Sequence, residues 1–271
     1  MTAPEPNTGA KHQDLLRALR AMGKAVVAFS GGLDSTFLLH AARQALGENV
    51  VAVTIFTPYM PETEIEDATN TARVMSVAHE LLNVPFPEAI RTNPANRCYF
   101  CKRTLFAHLL QLAAARGIDH VLDGTNLDDL GDHRPGFKAV RELGVESPLL
   151  AAGLTKQDLR DLSKNQGLPT WNKPAGACLL TRIPHDTPVK EAELRRIDRA
   201  ETVLKELGFH AVRLRSHGDI ARIEVPREQL VDVVEADARH GISKQLIALG
   251  YRHVTLDLAG YRMGSLNREA K

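Results

Sequence analysis

The sequence contains no apolar run that approaches the roughly 18 residues a membrane-spanning helix needs. Its start also lacks the apolar core of a secretory signal peptide. Basic residues are not in excess, because 34 Lys and Arg stand against 33 Asp and Glu. Proteins that bind bulk nucleic acid usually carry a basic face. These absences predict a cytoplasmic protein with no membrane contact, and they disfavour a nucleic-acid partner.

Cysteine is scarce, with only Cys98, Cys101 and Cys178 in the chain. An odd, sparse count in a cytosolic protein disfavours a disulfide framework and favours metal binding or catalysis. A zinc site would need a fourth ligand, and no histidine is placed to supply it. A Cys-x-x-Cys and a third thiolate from a distant loop can hold a [4Fe–4S] cluster and leave one iron open. Three unrelated thiols are the alternative.

Short apolar runs alternate with helical segments over the first 170 residues. The predicted strands lie at 25–29, 50–55, 79–84 and 119–122, and the helices between them include 62–77 and 101–116. This alternation predicts an α/β fold with a doubly wound parallel sheet. From 171 onwards, a helix, a hairpin, more helix and a closing strand predict a smaller α+β unit. We therefore expect domains at 1–170 and 171–271.

A glycine-bearing turn joins the first strand to the next helix, with the sequence Ser-Gly-Gly-Leu-Asp-Ser. Glycines there let the backbone approach a ligand closely, and the helix directs its free N–H groups and positive dipole end at the same place. A tight turn with a helix cap is the alternative. The predicted phosphate-binding residues are Ser30, Gly31, Gly32, Asp34 and Ser35.

A second polar segment, Asp-Gly-Thr-Asn-Leu-Asp-Asp, follows the strand at 119–122. The carboxyl ends of parallel strands meet at one edge of a sheet, where ligands bind. Carboxylates beside a phosphate site suit Mg²⁺. We expect Gly124, Thr125 and Asp128 to belong to the ATP site, and the alternative is a turn with Asx caps.

Charged residues accompany the cysteines and the hairpin. Lys102 follows Cys101, and Arg182 follows Cys178 by four residues, where it suits a phosphate or carboxylate. Arg213 and Arg215 share one face of their predicted strand. Such a face either is solvated and ion-paired or lines an anion pocket, and the sequence leaves both open.

The loop at 30–35 resembles that of the ATP-pyrophosphatase (PP-loop) superfamily, whose members cleave ATP between its α- and β-phosphates. Four further motifs follow it along the chain: Arg-Cys-Tyr-Phe-Cys-Lys, Asp-Gly-Thr-Asn-x-Asp-Asp, Lys-Pro-Ala…Cys-Leu-x-x-Arg-Ile-Pro and the Arg-x-Arg hairpin. Together they resemble the LarE family, the ATP-dependent sulfur transferases of nickel-pincer-nucleotide biosynthesis. The resemblance covers nearly the whole chain.

The resemblance implies that ATP adenylates a carboxylate of pyridinium-3,5-biscarboxylic acid mononucleotide and that sulfur then replaces the activated oxygen. Some family members sacrifice one cysteine, which matches Cys178 here. Others carry three cysteines and use a [4Fe–4S] cluster reloaded by a sulfide donor, and this sequence matches that type. The family also suggests a hexamer.

The same resemblance assigns roles to single residues. By the resemblance, the arginines would hold substrate phosphate or carboxylate, and two acidic residues would lie near the reaction centre. Lys102 is predicted to bind the anionic substrate from its charge beside the cysteine pair, not from the resemblance. Tyr99 stands near where the family often has Trp, so substrate stacking there is less well supported. The residues carried over are Arg182, Arg213 and Arg215 for the substrate, and Glu201 and Glu224 for the reaction centre.

Three other functions stay open from the sequence. A PP-loop tRNA thiolase also uses three cysteines, but it would call for a basic surface or an RNA-binding module. An ammonia-dependent amidating ligase has no use for three thiols. A nucleotide sensor would keep the loop without turnover.

Overall fold

The computed structural model describes residues 6–131, 135–174 and 176–261. They form two compact units. The first takes in the described parts of Met1–Thr57, Glu62–Ile90 and Asn96–Gly176, and the second those of Pro58–Pro61, Arg91–Ala95 and Ala177–Lys271. Within the described ranges, no helix is both long and apolar enough to cross a membrane.

The first unit contains a parallel sheet of four strands in the order β3-β2-β1-β4. The strands are β1 (Ala25–Ala28), β2 (Val50–Phe56), β3 (Ala78–Asn83) and β4 (His120–Leu122). The helices are α1 (Pro6–Met22), α2 (Leu33–Leu46), α3 (Glu62–Val74), α4 (Arg97–Ala115), α5 (Pro135–Glu142), α6 (Pro148–Ala151) and α7 (Lys156–Asn165). The predicted α/β fold with a parallel sheet is confirmed.

Strand order places two of the predicted ligand-binding segments side by side. From β1 the chain continues to β2 on one side, whereas β4 pairs with the other side of β1. The direction of winding therefore reverses between β1 and β4, and ligands bind at such a reversal, outside the carboxyl ends of the strands. The loop at 30–35 follows β1, and the segment at 123–129 follows β4.

Helix α2 is buried on nearly every side, because Leu33, Phe37, Leu38 and Leu39 are all at most 4% exposed. The leucines of α1 pack into the same core as these residues. Close packing on nearly every side holds this helix in place. Its first turn therefore fixes the position of the 30–35 loop.

The second unit has a three-stranded sheet in the order β5-β6-β7. The predicted hairpin is confirmed by antiparallel pairing of β5 (Arg213–His217) with β6 (Ile220–Glu224), and β7 (His253–Leu256) pairs parallel to β6. The helices are α8 (Glu191–Glu206), α9 (Leu230–His240) and α10 (Ile242–Ala248). Leu194, Ile197 and Leu204 of α8 are fully buried at helical spacing.

Helix α4 begins earlier than the sequence predicts. It starts at Arg97 rather than at Cys101, so both cysteines of the Cys-x-x-Cys lie in its first turns. Tyr and Phe between them have modest helix propensity. Packing against α5 supplies the missing support: a Cβ added to Gly136 would lie 3.3 Å from the carbonyl oxygen of Cys98.

A capping box begins α7. The Thr155 hydroxyl accepts a hydrogen bond from the N–H of Asp158, and the Asp158 carboxylate accepts one from the N–H of Thr155. Thr8 and Lys11 of α1 also donate to this carboxylate, at 2.6 and 2.9 Å. Burial alone would raise the pKa of Asp158, but these hydrogen bonds outweigh it and hold the pKa well below 3.8, its ordinary value.

We expect Asp158→Asn to lower the free energy of unfolding by about 1–2 kcal/mol at neutral pH, because the cap and the Lys11 ion pair are lost. A depressed carboxyl pKa contributes stability above the ordinary pKa and loses it as the pH falls. The difference from wild type should therefore narrow below pH 3.8, as measured by urea unfolding across the acid range. Asp161→Asn, on the exposed face of α7, is the matched control. A difference that stays constant into strong acid would contradict this account.

Candidate functional site

The two serines at the ends of the 30–35 loop are hydrogen-bonded to each other. The Ser30 and Ser35 hydroxyl oxygens lie 3.0 Å apart, and the N–H of Ser30 donates to the Ser35 hydroxyl at 3.2 Å. Gly31 has a φ of 67°, which favours glycine, and Gly32 is the N-cap of α2. No side chain makes a cap hydrogen bond at Gly32. The first turn of α2 thus keeps backbone N–H groups at the loop for an anion.

Neighbouring segments pack closely against this loop at two glycines, Gly31 in the loop and Gly124 in the segment after β4. A Cβ added to Gly31 would lie 2.9 Å from the Cα of Ala68 on α3. A Cβ added to Gly124 would lie 3.1 Å from the backbone nitrogen of Ser35. The two predicted segments therefore meet, and glycine is what allows the approach on both sides of the loop.

The segment after β4 is braced by its own hydrogen bonds. Asp123 is buried and accepts from the hydroxyl of Ser147 at 2.6 Å and from that of Thr125. The Asn126 amide donates to Asp34 at 3.4 Å, which links the segment to the loop. Asp128 is exposed, and its carboxylate accepts from the N–H of Lys156 at 2.8 Å. The roles of Thr125 and Asp128 toward ATP and Mg²⁺ stay predictions.

Two lysines that the sequence analysis missed contact this loop. The Lys156 ammonium lies 3.5 Å from the Asp34 carboxylate. The Lys173 ammonium lies 3.2 Å from the carbonyl oxygen of Gly31 and 3.0 Å from the Asp67 carboxylate. Both are over 120 residues from the loop in sequence, so local pattern gives no sign of either contact.

The cysteines are divided between the units. Cys98 is exposed and Cys101 half-buried at the start of α4 in the first unit, where residues three apart share a face. Lys102 follows them, and its ammonium lies 5.5 Å from the centre of the Phe106 ring. Cys178 is half-buried in the second unit. Among the described residues, no group of three or more His, Cys, Asp or Glu side chains is arranged to hold a metal ion.

In the second unit, Arg182 forms a buried bidentate ion pair with Glu201, at 2.8 and 2.9 Å. The arginine is 2% exposed and the glutamate 0%. Burial alone would raise the pKa of Glu201, but the Arg182 hydrogen bonds and charge lower it overall. Glu201 is therefore ionised at neutral pH. In the structure, the Glu201 carboxylate holds the guanidinium of Arg182.

The same guanidinium holds the cysteine segment. Its Nη1 donates to the carbonyl oxygens of Ala177 and Cys178, at 2.8 and 3.3 Å, and to the hydroxyl of Thr181. That hydroxyl donates in turn to the Cys178 carbonyl at 2.9 Å. The backbone at Cys178 is thus fixed by a buried ion pair that reaches α8.

The hairpin carries a second pair of the same kind. Arg215 donates from Nε and Nη2 to Glu224 at 3.0 and 2.8 Å, and Arg222 donates to the other oxygen at 3.1 Å. Arg213 is half-buried, with its guanidinium 5.2 Å from the Tyr261 ring centre. Burial, together with the Arg182 charge, lowers the pKa of Arg213. On this face Arg215 is therefore buried and ion-paired, whereas Arg213 is half-buried.

Asn93 is a further residue that the sequence analysis missed. It is fully buried, with a φ of 52°, and its amide lies within hydrogen-bond distance of the carbonyl oxygens of Leu180, Ile183 and Pro184. The N–H of Leu179 donates to the carbonyl of Tyr59. The residues after Cys178 are therefore fixed from two earlier stretches of the chain. A lone asparagine before a proline gives no sequence signal for this role.

Comparison with known proteins places the chain in a family. It is 37% identical to the pyridinium-3,5-bisthiocarboxylic acid mononucleotide synthase of Lactiplantibacillus plantarum over 95% of this chain and 94% of that protein. The chain belongs to that family, the LarE family. The sequence-based identification is thereby confirmed.

Other relatives extend the comparison. An uncharacterized protein of Synechocystis sp. is 41% identical over 95% of this chain and 97% of its own length. An uncharacterized protein of Methanocaldococcus jannaschii is 30% identical over 88% of this chain and 91% of its own. The pattern of the queuosine biosynthesis protein QueC matches residues 24–97, which include the 30–35 loop. This match supports an ATP-using enzyme of the PP-loop class.

We expect Arg182→Met to lower the free energy of unfolding by about 3–5 kcal/mol, because Glu201 is left buried without its cation. Arg239→Met is the matched control, since Arg239 pairs with Glu235 on an exposed face of α9 and should change stability by under about 0.5 kcal/mol. Urea unfolding of both variants measures the difference. Equal, small losses would show that the buried pair is not the anchor inferred here.

Proposed function

We propose that this protein is an ATP-dependent sulfurtransferase. It adenylates a carboxylate of pyridinium-3,5-biscarboxylic acid mononucleotide and replaces the activated oxygen with sulfur. Family membership across nearly the whole of both chains supports the substrate class. The observation that carries the ATP-dependent half is the 30–35 loop at the start of α2, where no side-chain cap hydrogen bond is made at Gly32 and the Gly124 segment packs against the loop.

In the first step, a substrate carboxylate oxygen attacks the α-phosphorus of ATP. The bond to the bridging oxygen of the β-phosphate breaks, pyrophosphate leaves, and an acyl adenylate forms. The N–H groups at the start of α2 and the Ser30 and Ser35 hydroxyls are suited to stabilise the charge on the leaving pyrophosphate. Mg²⁺, when bound, would neutralise phosphate charge, and Asp34 and Asp128 are the carboxylates we assign to it.

In the second step, a sulfur nucleophile attacks the activated carbonyl carbon and AMP leaves with the former carboxylate oxygen. If the nucleophile is the Cys178 thiolate, a thioester to Cys178 forms first. Loss of the Cys178 α-proton and cleavage of its Cβ–S bond then release the thiocarboxylate and leave dehydroalanine. We propose that Arg182 and Glu201 act here by holding the Cys178 backbone, to which Arg182 donates at 3.3 Å. Arg213 is the guanidinium that we assign to substrate phosphate or carboxylate. The resemblance predicts the same role for Arg215, but its three nitrogens are engaged by Glu224 and the Thr181 carbonyl, so we assign it to holding that segment.

A [4Fe–4S] cluster is the other candidate for the sulfur source. The donor set fits its chemistry, since Cys98, Cys101 and Cys178 would supply three thiolates and leave an iron open for sulfide. The described residues gather no three-ligand group, however, so we derive no step through the cluster. Likewise the homo-oligomer and the sulfide donor are proposals that rest on family resemblance.

Anaerobic purification with iron and acid-labile sulfide analysis separates the two sulfur sources. A cluster predicts about four irons and four sulfides per chain, and their loss in Cys98→Ala. Sacrifice predicts iron-free protein whose Cys178 loses the mass of H₂S after one turnover. Iron-free protein with an intact Cys178 and repeated turnover would contradict both.

Asp34→Ala tests the adenylation step. We expect AMP formation with the pyridinium nucleotide to fall by about 100-fold or more, because the loop carboxylate that we assign to Mg²⁺ is lost. Asp14→Ala, exposed on α1, should leave the rate unchanged. Bulk tRNA is the alternative acceptor of the adenylyl group, and ammonia is the alternative nucleophile of the second step. AMP formed only with tRNA would replace this function by a tRNA thiolase, and an amide formed in place of a thiocarboxylate would replace it by an amidating ligase.

A further inference from the structure

The 30–35 loop carries no Lys or Arg of its own. A triphosphate brings several negative charges to it, and helix N–H groups supply only partial charges in return. Besides Mg²⁺, a full positive charge can come only from side chains that lie elsewhere in the sequence and reach the loop. The described structure brings two ammonium groups to the loop, those of Lys156 and Lys173.

The two lysines contact different groups of the loop: Lys156 a carboxylate side chain, and Lys173 a backbone carbonyl. Lys156 faces a loop carboxylate, Asp34, and its own backbone N–H is bound to Asp128. Lys173 instead touches the loop backbone itself, at the Gly31 carbonyl. Its carboxylate partner is Asp67, which neighbours the Ala68 that packs on Gly31. The Lys173 ammonium therefore lies beside the 30–35 loop, on the side that faces α3.

The present anchorage of Lys173 is suited to exchange. Asp67 is 59% exposed, and exposed ion pairs contribute little net stability. An ammonium on a flexible four-carbon stem can leave such a partner for a phosphate oxygen at small cost. Lys173 is itself 27% exposed, and its ammonium already contacts the loop at the Gly31 carbonyl.

We propose that Lys173 is a ligand of the β- and γ-phosphates of ATP and of the pyrophosphate that leaves. This assignment rests on the proposed ATP-dependent function. The α-phosphorus must stay open to the attacking carboxylate, so the phosphates held inside the loop are the β and γ. When the bond between the α- and β-phosphates breaks, its electron pair goes to the pyrophosphate, and the Lys173 ammonium balances that added charge.

Binding of three probes tests the assignment: ATP, pyrophosphate and AMP, each with Mg²⁺, by calorimetry on the full chain. Lys173→Ala should weaken ATP and pyrophosphate binding about tenfold or more, since a charge-assisted hydrogen bond is lost. AMP binding should change by less than twofold. Lys173→Arg should recover part of the loss.

Asp67→Asn separates a ligand from a structural tie. If Lys173 only ties its segment to α3, Asp67→Asn and Lys173→Ala should share their effects on melting temperature and on binding. If Lys173 is a phosphate ligand, Asp67→Asn should bind pyrophosphate as tightly as wild type or more tightly, because the competing carboxylate is gone.

Two failures remain distinguishable. Wild-type protein that binds neither ATP nor pyrophosphate would overturn the proposed function and this assignment with it. Wild-type protein that binds both, while Lys173→Ala binds them equally well or loses AMP to the same degree, would overturn the Lys173 assignment alone.

Discussion

Close backbone packing around the 30–35 loop is the constraint on which the first unit depends. Ala68 and Ser35 approach the places where Gly31 and Gly124 would carry a Cβ, at 2.9 and 3.1 Å. The buried helix α2 fixes the loop from behind, and Asn126 links it to the segment after β4. An anion site made of backbone N–H groups needs such rigidity, because its donors stabilise charge only if they are already in position. The strand order places this site at the reversal between β1 and β4.

The second unit is organised by buried charge. Two arginines and two glutamates that are each at most 6% exposed pair as Arg182–Glu201 and Arg215–Glu224. Such pairs gain little over an apolar core, but breaking one is costly, so they fix geometry rather than add stability. Arg182 also donates to the backbone carbonyl of Cys178, and Arg215 donates to that of Thr181, so both ion pairs hold the segment around Cys178. The segment that carries Cys178 is thereby held in place, although the helical turn in it, Leu179–Arg182, has only four residues.

The sequence was sufficient for the features that are local or periodic. Alternating apolar runs predict the parallel sheet, and the glycine-bearing turn after β1 predicts a loop that leads directly into a helix. Boundaries were less well determined: α4 starts at Arg97 because α5 packs on it, which no local pattern reveals. The hairpin charges leave two outcomes open in the sequence, and the structure shows that Arg215 and Glu224 form a buried ion pair. Lys173 and Asn93 were missed because their partners lie more than 80 residues away. Long-range contacts of single polar residues leave no periodic pattern in the sequence from which they could be predicted.

The central claim is that ATP activates a carboxylate oxygen of the substrate, which sulfur then replaces. Transfer of ¹⁸O tests it most directly. The pyridinium nucleotide is labelled in its carboxylates, incubated with ATP and the protein, and the products are analysed by mass spectrometry. The account predicts one ¹⁸O in the phosphate of each AMP formed and one sulfur in place of that oxygen in the product. AMP without label, or label in pyrophosphate, would contradict it.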